Sequence, residues 1–194
     1  MEDEYKTIPN NEIGEGFYTE SKSKFLAFAH HVENTDEIKS IVSEYKKRFY
    51  DARHVCYAYM LGAARENFRA NDDGEPSSTA GKPILGQINS NELTNILIVV
   101  VRYYGGVNLG TSRLIVAYRT AAALALENVS VEKRLVEETF TVAFSYEQTK
   151  DVMKIIKELS PKIVEQTFDT ECSMTLSIRK SEAALLEAKI KKLL

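Results

Sequence analysis

The continuous apolar run at residues 96–101 is the feature that most constrains the fold of this chain. Its sequence, Ile-Leu-Ile-Val-Val-Val, does not alternate with polar residues, and such a strand is usually covered on both faces. A polar loop at residues 72–82 precedes the strand, and a glycine-rich segment at residues 102–110 follows it. Residues 111–128 then show helical spacing of apolar side chains. This order predicts a binding site built on the edge of a rigid sheet.

The composition excludes several classes of protein. The chain has 194 residues, of which 44% are hydrophobic and 27% charged, values typical of a globular protein with a sizeable core. The longest apolar run is six residues, far short of a membrane span, and no basic and apolar leader opens the chain. We therefore expect no membrane contact, a cytoplasmic location, and reduced, buried thiols at Cys56 and Cys172.

The net charge of −3 gives the whole molecule no attraction for nucleic acid. Contact with a phosphate backbone would need a local basic patch. Such a patch requires that the fold brings together basic residues of the first 130 positions, which include Lys22, Lys24, Arg53, Lys82, Arg102, Arg113 and Arg119. If these side chains converge, Tyr103 and Tyr104 would be available beside them for stacking on bases.

A change of pattern near residue 130 predicts two domains, residues 1–130 and 131–194. In the first we expect strands within the first thirty residues, a helix that ends near Phe49, a strand at His54–Leu61, an exposed loop up to Pro76, and a short helix within residues 77–87 capped by Ser77, Ser78 or Thr79. In the second we expect a strand, a helix, a hairpin and a final helix capped by Ser181. That second set is an α+β unit of the size of a separate domain.

The turn after the apolar strand has the order of strand, glycines and helix that phosphate-binding turns share. Its spacing nearly matches the nucleotide P-loop, but the lysine is missing, which argues against an ordinary NTPase. A turn that merely needs positive φ angles is an equal alternative. Arg113 places a cation at the positive end of the helix, and a bound anion or the nearby acids would offset it. The predicted site for phosphate or sulfate comprises Gly105, Gly106, Gly110, Thr111, Ser112 and Arg113.

Metal binding and covalent catalysis have little support in the sequence. The acids at residues 72–75 do not continue into a calcium-loop pattern, so a solvated turn is favoured. His54 and Cys56 would share a face of a strand, yet no His and Cys pair has structural-zinc spacing, and a packed or hydrogen-bonded role is favoured. No nucleophile motif surrounds any candidate. The sequence predicts no metal, no cofactor and no catalytic residue.

Several segments closely resemble the IMPACT (YigZ-like) family in its bacterial two-domain form. The resemblance covers about residues 15–125. It rests on the motifs at residues 21–25, 51–59, 73–77, 79–85, 99–107 and 109–111. The chain departs from the family pattern at Ser78, where glycine is usual, and at Ser112-Arg113, which replace a pair of glycines.

The resemblance implies an α+β fold class with two domains. Residues 1–130 would adopt a βαβ fold similar to domain IV of elongation factor G, and residues 131–194 would form a ferredoxin-like domain. The chain ends directly after a predicted helix, where a ferredoxin-like domain would normally add a strand. We therefore expect one edge of the second sheet to be uncovered, or covered by a partner.

The resemblance also implies a role in translation. Eukaryotic relatives regulate translation by binding a coactivator of a starvation-responsive kinase, and for bacterial members binding to nucleic acid or translation components is implied. We therefore expect a non-enzymatic regulatory protein that binds RNA or a ribosome-associated protein through residues 72–82 and 102–110. The alternative is an enzyme that acts on a phosphorylated small molecule at the same groove. The predicted contact residues are Arg53, His54, Asp73, Glu75, Ser77, Thr79, Lys82, Arg102, Tyr103 and Tyr104.

Overall fold

The computed structural model describes residues 3–194, which divide into two compact units. One unit is Tyr5–Arg134, and the other is Leu135–Leu194 together with Asp3 and Glu4. The second unit therefore includes Asp3 and Glu4, which were predicted for the first domain, and the first unit includes residues 131–134, which were predicted for the second. That each unit folds independently stays a prediction.

The first unit is built around a five-stranded sheet. The elements up to residue 135, in chain order, are β1 (Glu4–Thr7), β2 (Gly14–Glu20), β3 (Ser23–His31), α1 (Thr35–Arg48), β4 (His54–Leu61), β5 (Asn67–Asn71), α2 (Gly81–Ser90), β6 (Ile96–Tyr103), α3 (Thr111–Glu127) and β7 (Glu132–Leu135). All of their residues belong to this unit except Glu4 and Leu135 at the outer ends. The sheet has the order β2-β3-β6-β4-β5, and β1 pairs with β7. Because β6 is antiparallel to both β3 and β4, those two strands run in the same direction and are joined through α1. This arrangement is a split βαβ unit.

Strand β6 is buried on both of its faces, as its apolar sequence predicts. Ile96, Ile98 and Val100 pack into a core with α2 and α3. The alternate residues, from Leu97 to Val101, pack into a second core with α1. Each such side chain stabilises the fold by about 1.5–3 kcal/mol when it is removed from water. The central strand therefore fixes the position of both helical layers.

Helix α3 lies close to β2 because small residues face each other. Ala121 and Ala125 are fully buried. A Cβ atom added at Gly16 would lie 2.5 Å from the backbone nitrogen of Ala125 and 2.7 Å from the carbonyl oxygen of Ala121. The C-terminal half of α3 therefore packs directly on the backbone of β2.

The second unit contains a three-stranded sheet with helices on one face. Its elements are β8 (Glu137–Phe144), a short 3₁₀ turn (Tyr146–Gln148), α4 (Thr149–Leu159), β9 (Lys162–Phe168), β10 (Cys172–Arg179) and α5 (Lys180–Leu193). The strand order is β8-β10-β9, and β10 is antiparallel to both neighbours. Strands β8 and β9 are therefore parallel and joined through α4, which makes a second split βαβ unit. Within residues 3–194 no strand pairs with the other edge of β8.

The structure differs from three local expectations. The segment before Pro76 contains a strand, β5, and is not simply a loop. Helix α2 begins at Gly81 and has no serine or threonine cap, because the Asp72 carboxylate accepts the amide N–H groups of Ala80 and Gly81 at 3.2 and 2.8 Å. Ser181 does not cap α5; its hydroxyl donates to the Asp3 carboxylate at 2.5 Å.

Both cysteines are buried free thiols. Across residues 3–194, every helix is too short or too polar to cross a membrane.

Candidate functional site

A cleft of about 410 Å³ lies where β4 begins, β6 ends and α3 begins. Antiparallel pairing places His54, the first residue of β4, opposite Arg102 near the end of β6. The loop before α2 contributes one wall and the glycine turn contributes another. The residues that line the cleft are Arg53, His54, Gly74, Glu75, Pro76, Arg102, Tyr104, Asn108, Leu109, Gly110, Thr111 and Leu114.

Glu75 is the centre of a buried polar cluster in this cleft. Its side chain is only 2% exposed. Its Oε1 atom lies 2.5 Å from Nη1 of Arg102, 2.7 Å from the Tyr118 hydroxyl and 3.5 Å from Nε2 of His54. A buried carboxylate without such partners would carry a large desolvation cost. The Arg102 guanidinium therefore compensates the charge that Glu75 brings into the fold.

The His54 ring is held in one orientation. Its Nδ1 atom lies 2.7 Å from the carbonyl oxygen of Asp73. Because a carbonyl can only accept, Nδ1 carries a proton. Nε2 is the ring nitrogen that faces Glu75, at 3.5 Å from Oε1.

Cys56 and Tyr118 close the inner end of the cluster. The Cys56 thiol donates to the Asp72 carbonyl oxygen at 3.1 Å and lies 3.4 Å from the Tyr118 hydroxyl. Burial raises the pKa of the Cys56 thiol and of the Tyr118 hydroxyl far above their ordinary values. Both groups are neutral at pH 7, so Cys56 is not a thiolate nucleophile. No group of three metal-ligating side chains is placed to hold an ion among residues 3–194.

The N-terminus of α3 opens into the cleft without a side-chain cap. Gly110 precedes the helix with φ of +77°, and the first backbone bond joins the Leu114 N–H to the Gly110 carbonyl at 3.1 Å. Within the described part of the chain, the amide N–H groups of residues 111–113 have no partner. Gly110 and Thr111 both line the cleft. A helix N-terminus with free amides is partially positive and suits an anion.

Arg113 does not take part in the cleft. Its guanidinium donates to the Glu20 carboxylate and to the Ser21 hydroxyl. The bond from Arg113, followed by one from the Tyr18 hydroxyl, holds the pKa of Glu20 below its usual range. The cation at the helix N-terminus is therefore compensated by Glu20, and among the described residues the acids at residues 72–75 do not pair with it.

The structure brings together only some of the residues that the sequence singled out. Those in the cleft are Arg53, His54, Glu75, Arg102, Tyr104, Gly110 and Thr111. Those that do not line it are Asp73, Ser77, Thr79, Lys82, Tyr103, Gly105, Gly106, Ser112 and Arg113.

The polar loop that contains Glu75 is held by hydrogen bonds to β4 and within the loop. The Asp73 carboxylate accepts the Val55 N–H at 2.7 Å. The Thr79 hydroxyl is buried and donates to the Pro76 carbonyl at 2.6 Å. These polar atoms are already engaged with β4 and within the loop. Their effect on the site is to present Glu75 to the cleft.

The two tyrosines do not form one stacking surface. Tyr103 packs against the core under α1, with its ring edge-on to Phe49 and its hydroxyl donating to Asp51 at 2.8 Å. Tyr104 lines the cleft, where the guanidinium carbons of Arg53 and Arg102 lie 5.1 and 5.7 Å from its ring centre. Arginine cations therefore already occupy positions beside the exposed aromatic ring of the cleft.

The glycine turn is fixed by close backbone contact as well as by positive φ angles. A Cβ atom on Gly105 would lie 2.2 Å from the carbonyl carbon of Lys22. The Ser23 hydroxyl accepts the Gly105 N–H and an Arg102 N–H, both at 3.3 Å. Gly106 adopts φ of +88°. The turn thus needs glycine for two different physical reasons.

Sequence reasoning missed Ser23 and Tyr118. Tyr118 belongs to the helical apolar spacing of residues 111–128, which predicts a core position, and its ring does lie in the core. A usable signal existed, because a buried tyrosine hydroxyl normally has a hydrogen-bond partner. Its partner, Glu75, lies 43 residues away in the chain, and local sequence patterns do not reveal which distant residues pair.

The fold and the cleft define a protein of two mixed α and β units, with a polar cleft at the end of the larger sheet. The family model of the Impact N-terminal domain matches residues 21–126, more than half of the chain. The chain belongs to the IMPACT family.

Named relatives agree with this assignment. An IMPACT family member of Haemophilus influenzae is 32% identical over 159 residues, which cover 81% of this chain and 77% of the relative. IMPACT family member YigZ of Escherichia coli is 30% identical over 171 residues, which cover 87% of this chain and 84% of the relative. A solved structure described as the crystal structure of a hypothetical protein has a TM-score of 0.73 and 26% identity, and covers 98% of this chain and 92% of that one.

Proposed function

We propose that this protein is a cytoplasmic, translation-linked binding protein whose cleft binds RNA through a phosphate group. The observation that carries the proposal is the open N-terminus of α3 beside Arg53 in one cleft. Membership of the IMPACT family supports the link to translation, since the sequence resemblance implies that role. A first unit similar to domain IV of elongation factor G, and a ferredoxin-like second unit, belong to the same proposal.

Two positive groups of the cleft remain available to a phosphate: the Arg53 guanidinium and the N-terminal amides of α3. The charge of Arg102 is compensated by Glu75, 2.5 Å away. Arg53 is exposed, and among residues 3–194 no carboxylate pairs with it. A phosphate bound between the Arg53 guanidinium and the free amides of α3 would therefore be attracted locally, although the whole molecule is acidic.

The same geometry predicts a shallow salt dependence. Each phosphate contact on a single strand lowers the logarithm of the binding constant by about 0.7 per tenfold rise in salt. One contact corresponds to a loss of about threefold between roughly 50 and 200 mM salt. A broad basic patch made of all seven candidate cations would give a far steeper dependence.

The test is fluorescence anisotropy with a short single-stranded RNA across that range of salt. Arg53→Ala should weaken binding and flatten the salt dependence. Arg119→Ala is the matched control, because Arg119 is exposed on α3 and does not line the cleft. Absence of binding at the lowest salt, or equal losses in the two variants, would place a protein partner ahead of RNA.

A second candidate function is turnover of a phosphorylated small molecule in the same cleft. The observation that favours it is the imidazole of His54, fixed through Nδ1 with Nε2 facing Glu75 at 3.5 Å. An oriented imidazole beside an anion site is the arrangement of a general acid or base. The test is release of inorganic phosphate or alcohol from a panel of phosphoesters. His54→Gln should abolish turnover and leave phosphate binding intact; a panel without turnover rejects this candidate.

A further inference from the structure

We infer that the cleft selects ribonucleotides over deoxyribonucleotides, because a free oxygen of Glu75 accepts a hydrogen bond from a sugar hydroxyl next to the bound phosphate. The inference rests on the proposed binding of a phosphate-bearing ligand in the cleft. It extends that proposal from the phosphate to the neighbouring sugar of the ligand.

The two oxygens of Glu75 have different surroundings. Oε1 accepts hydrogen bonds from Arg102 and Tyr118 and lies 3.5 Å from Nε2 of His54. Oε2 accepts no hydrogen bond from any residue in 3–194. Glu75 lines the cleft. Its side chain is only 2% exposed, but Oε2 is not among the fully buried polar side-chain atoms that lack a partner in the described residues, which are Nε of Arg102 and Oγ1 of Thr149. A carboxylate has about four acceptor sites, so Oε2 has capacity for a ligand.

The charges around Oε2 favour a neutral donor. Arg102 already compensates the carboxylate, and Arg53 and the N-terminus of α3 add positive potential to the same cleft. A second cation, such as an ammonium group, would meet this potential unfavourably. A hydroxyl group brings a donor without charge, and it is compatible with a phosphate bound nearby.

The size and chemistry of the cleft fit one nucleotide unit. A volume of about 410 Å³ falls in the range of small-ligand pockets, roughly 300–1,000 Å³. In a ribonucleotide the 2′-hydroxyl lies close to the phosphate, and it is the group by which proteins distinguish RNA from DNA. A deoxyribose in the same place would displace water from Oε2 and leave that oxygen without a donor, which weakens binding. Free ribonucleotides and RNA share this chemistry.

The experiment measures anisotropy of labelled strands of about four nucleotides with the unaltered protein. Four sugars are compared: ribose, deoxyribose, 2′-O-methylribose and 2′-fluororibose. The expected result is that ribose binds about tenfold or more tightly than each of the others, none of which has a 2′ donor. DNA strands with a single ribonucleotide at successive positions should recover most of this difference at one position.

The outcomes separate this inference from the proposed function. Equal affinity for RNA and DNA overturns the selection by Glu75 and leaves phosphate binding in place. Absence of binding by every strand overturns both. Competition by a ribonucleoside monophosphate as strong as that of the labelled RNA would identify a free nucleotide, and not RNA, as the source of the ligand.

A variant tests the role of Glu75 itself. In Glu75→Gln the amide oxygen can stay with Arg102 and Tyr118, which leaves an NH₂ donor in place of Oε2. The preference for 2′-hydroxyl over 2′-fluoro should then fall, because the donor now suits an acceptor substituent. An unchanged preference in a folded variant would contradict the inference. If circular dichroism shows that the variant is unfolded, the comparison of sugars with the unaltered protein decides alone.

Discussion

Nη1 of Arg102 lies 2.5 Å from Oε1 of Glu75, and both side chains are almost fully buried. The pair joins the end of the central strand to the loop before α2. Removing one member of a buried ion pair leaves an uncompensated charge, which typically costs about 3–5 kcal/mol. The shape of the cleft therefore depends on this pair.

We expect Glu75→Ala to lower the free energy of unfolding by about 3–5 kcal/mol. Tyr118→Phe should lower it by about 1.5–3 kcal/mol, because it removes one hydrogen bond to a charged acceptor. The double variant Glu75→Leu with Arg102→Met should be more stable than Glu75→Ala, since no buried charge remains. Urea unfolding measures all three. A double variant less stable than Glu75→Ala would contradict this account.

Gly105→Ala should be destabilising by about 1–3 kcal/mol, the usual range for overpacking. The new Cβ atom would meet the Lys22 backbone at 2.2 Å, and backbone cannot move aside as a flexible side chain can. Gly86→Ala is the matched control, because Gly86 lies inside α2 with no atom within 4 Å of the added Cβ. That control should be stabilising by up to about 1 kcal/mol. Thermal unfolding measures both, and two changes of the same sign would refute the prediction.

Phosphate should raise the Tm of the protein more than chloride does at matched ionic strength. A ligand at ten times its Kd stabilises the native state by about 1.4 kcal/mol. Arg53→Ala should reduce this rise, because Arg53 lines the cleft. Arg113→Ala should leave it unchanged, because that guanidinium is bound to Glu20 and lies outside the cleft. If Arg113→Ala reduced the phosphate-induced rise in Tm and Arg53→Ala did not, the anion site would lie on the Arg113 side of the helix.

A fragment of residues 5–134 should fold by itself. The cores on the two faces of the five-stranded sheet consist entirely of residues from this range, and the third core consists of residues from 135–194. Circular dichroism and a cooperative thermal transition of the isolated fragment measure this. A fragment without a transition would show that the two units are not independent domains.

Elements with strong local patterns could be predicted from the sequence, and those created by pairing could not. The apolar run of β6 and the apolar face of α3 were predicted because each pattern is formed by residues that are close together in the sequence. Strand β5, Asn67–Asn71, was missed because three of its five residues are polar and its first three are exposed, so it is its pairing with β4 that makes it a strand.

Only part of the candidate site could be predicted, because its residues come from segments that are distant in the chain. The resemblance identified Arg53, His54 and Glu75 as important, but their partners lie far away in the chain. Glu20, the partner of Arg113, is 93 residues away, and no sequence spacing marks such a pair. At Ser78 the structure explains a sequence feature instead. Ser78 has φ of +65°, a conformation that glycine adopts most easily. Glycine at the corresponding family position therefore has a physical reason.

The free energy of unfolding should fall as the pH is lowered, because the Asp3 carboxylate becomes protonated. Its carboxylate accepts bonds from the Ser181 hydroxyl at 2.5 Å and from the Arg179 guanidinium at 2.9 Å. The Ser181 bond, followed by the Arg179 bond, lowers the pKa of Asp3 to about 2. A group whose pKa is lower in the folded state stabilises that state above its unfolded value, about 3.9.

This contribution is therefore complete above about pH 5 and is lost as the pH falls from about 4 through about 2. Asp3→Asn should remove that part of the acid sensitivity, so the stability difference between parent and variant should shrink across this window. Glu171→Gln is the control, because Glu171 is exposed and has no ion-pair partner within residues 3–194. Urea unfolding at a series of pH values measures the difference. A gap between parent and Asp3→Asn that stays constant down to pH 2 would contradict the linkage, because a protonated Asp3 could no longer hold its charged bond to Arg179.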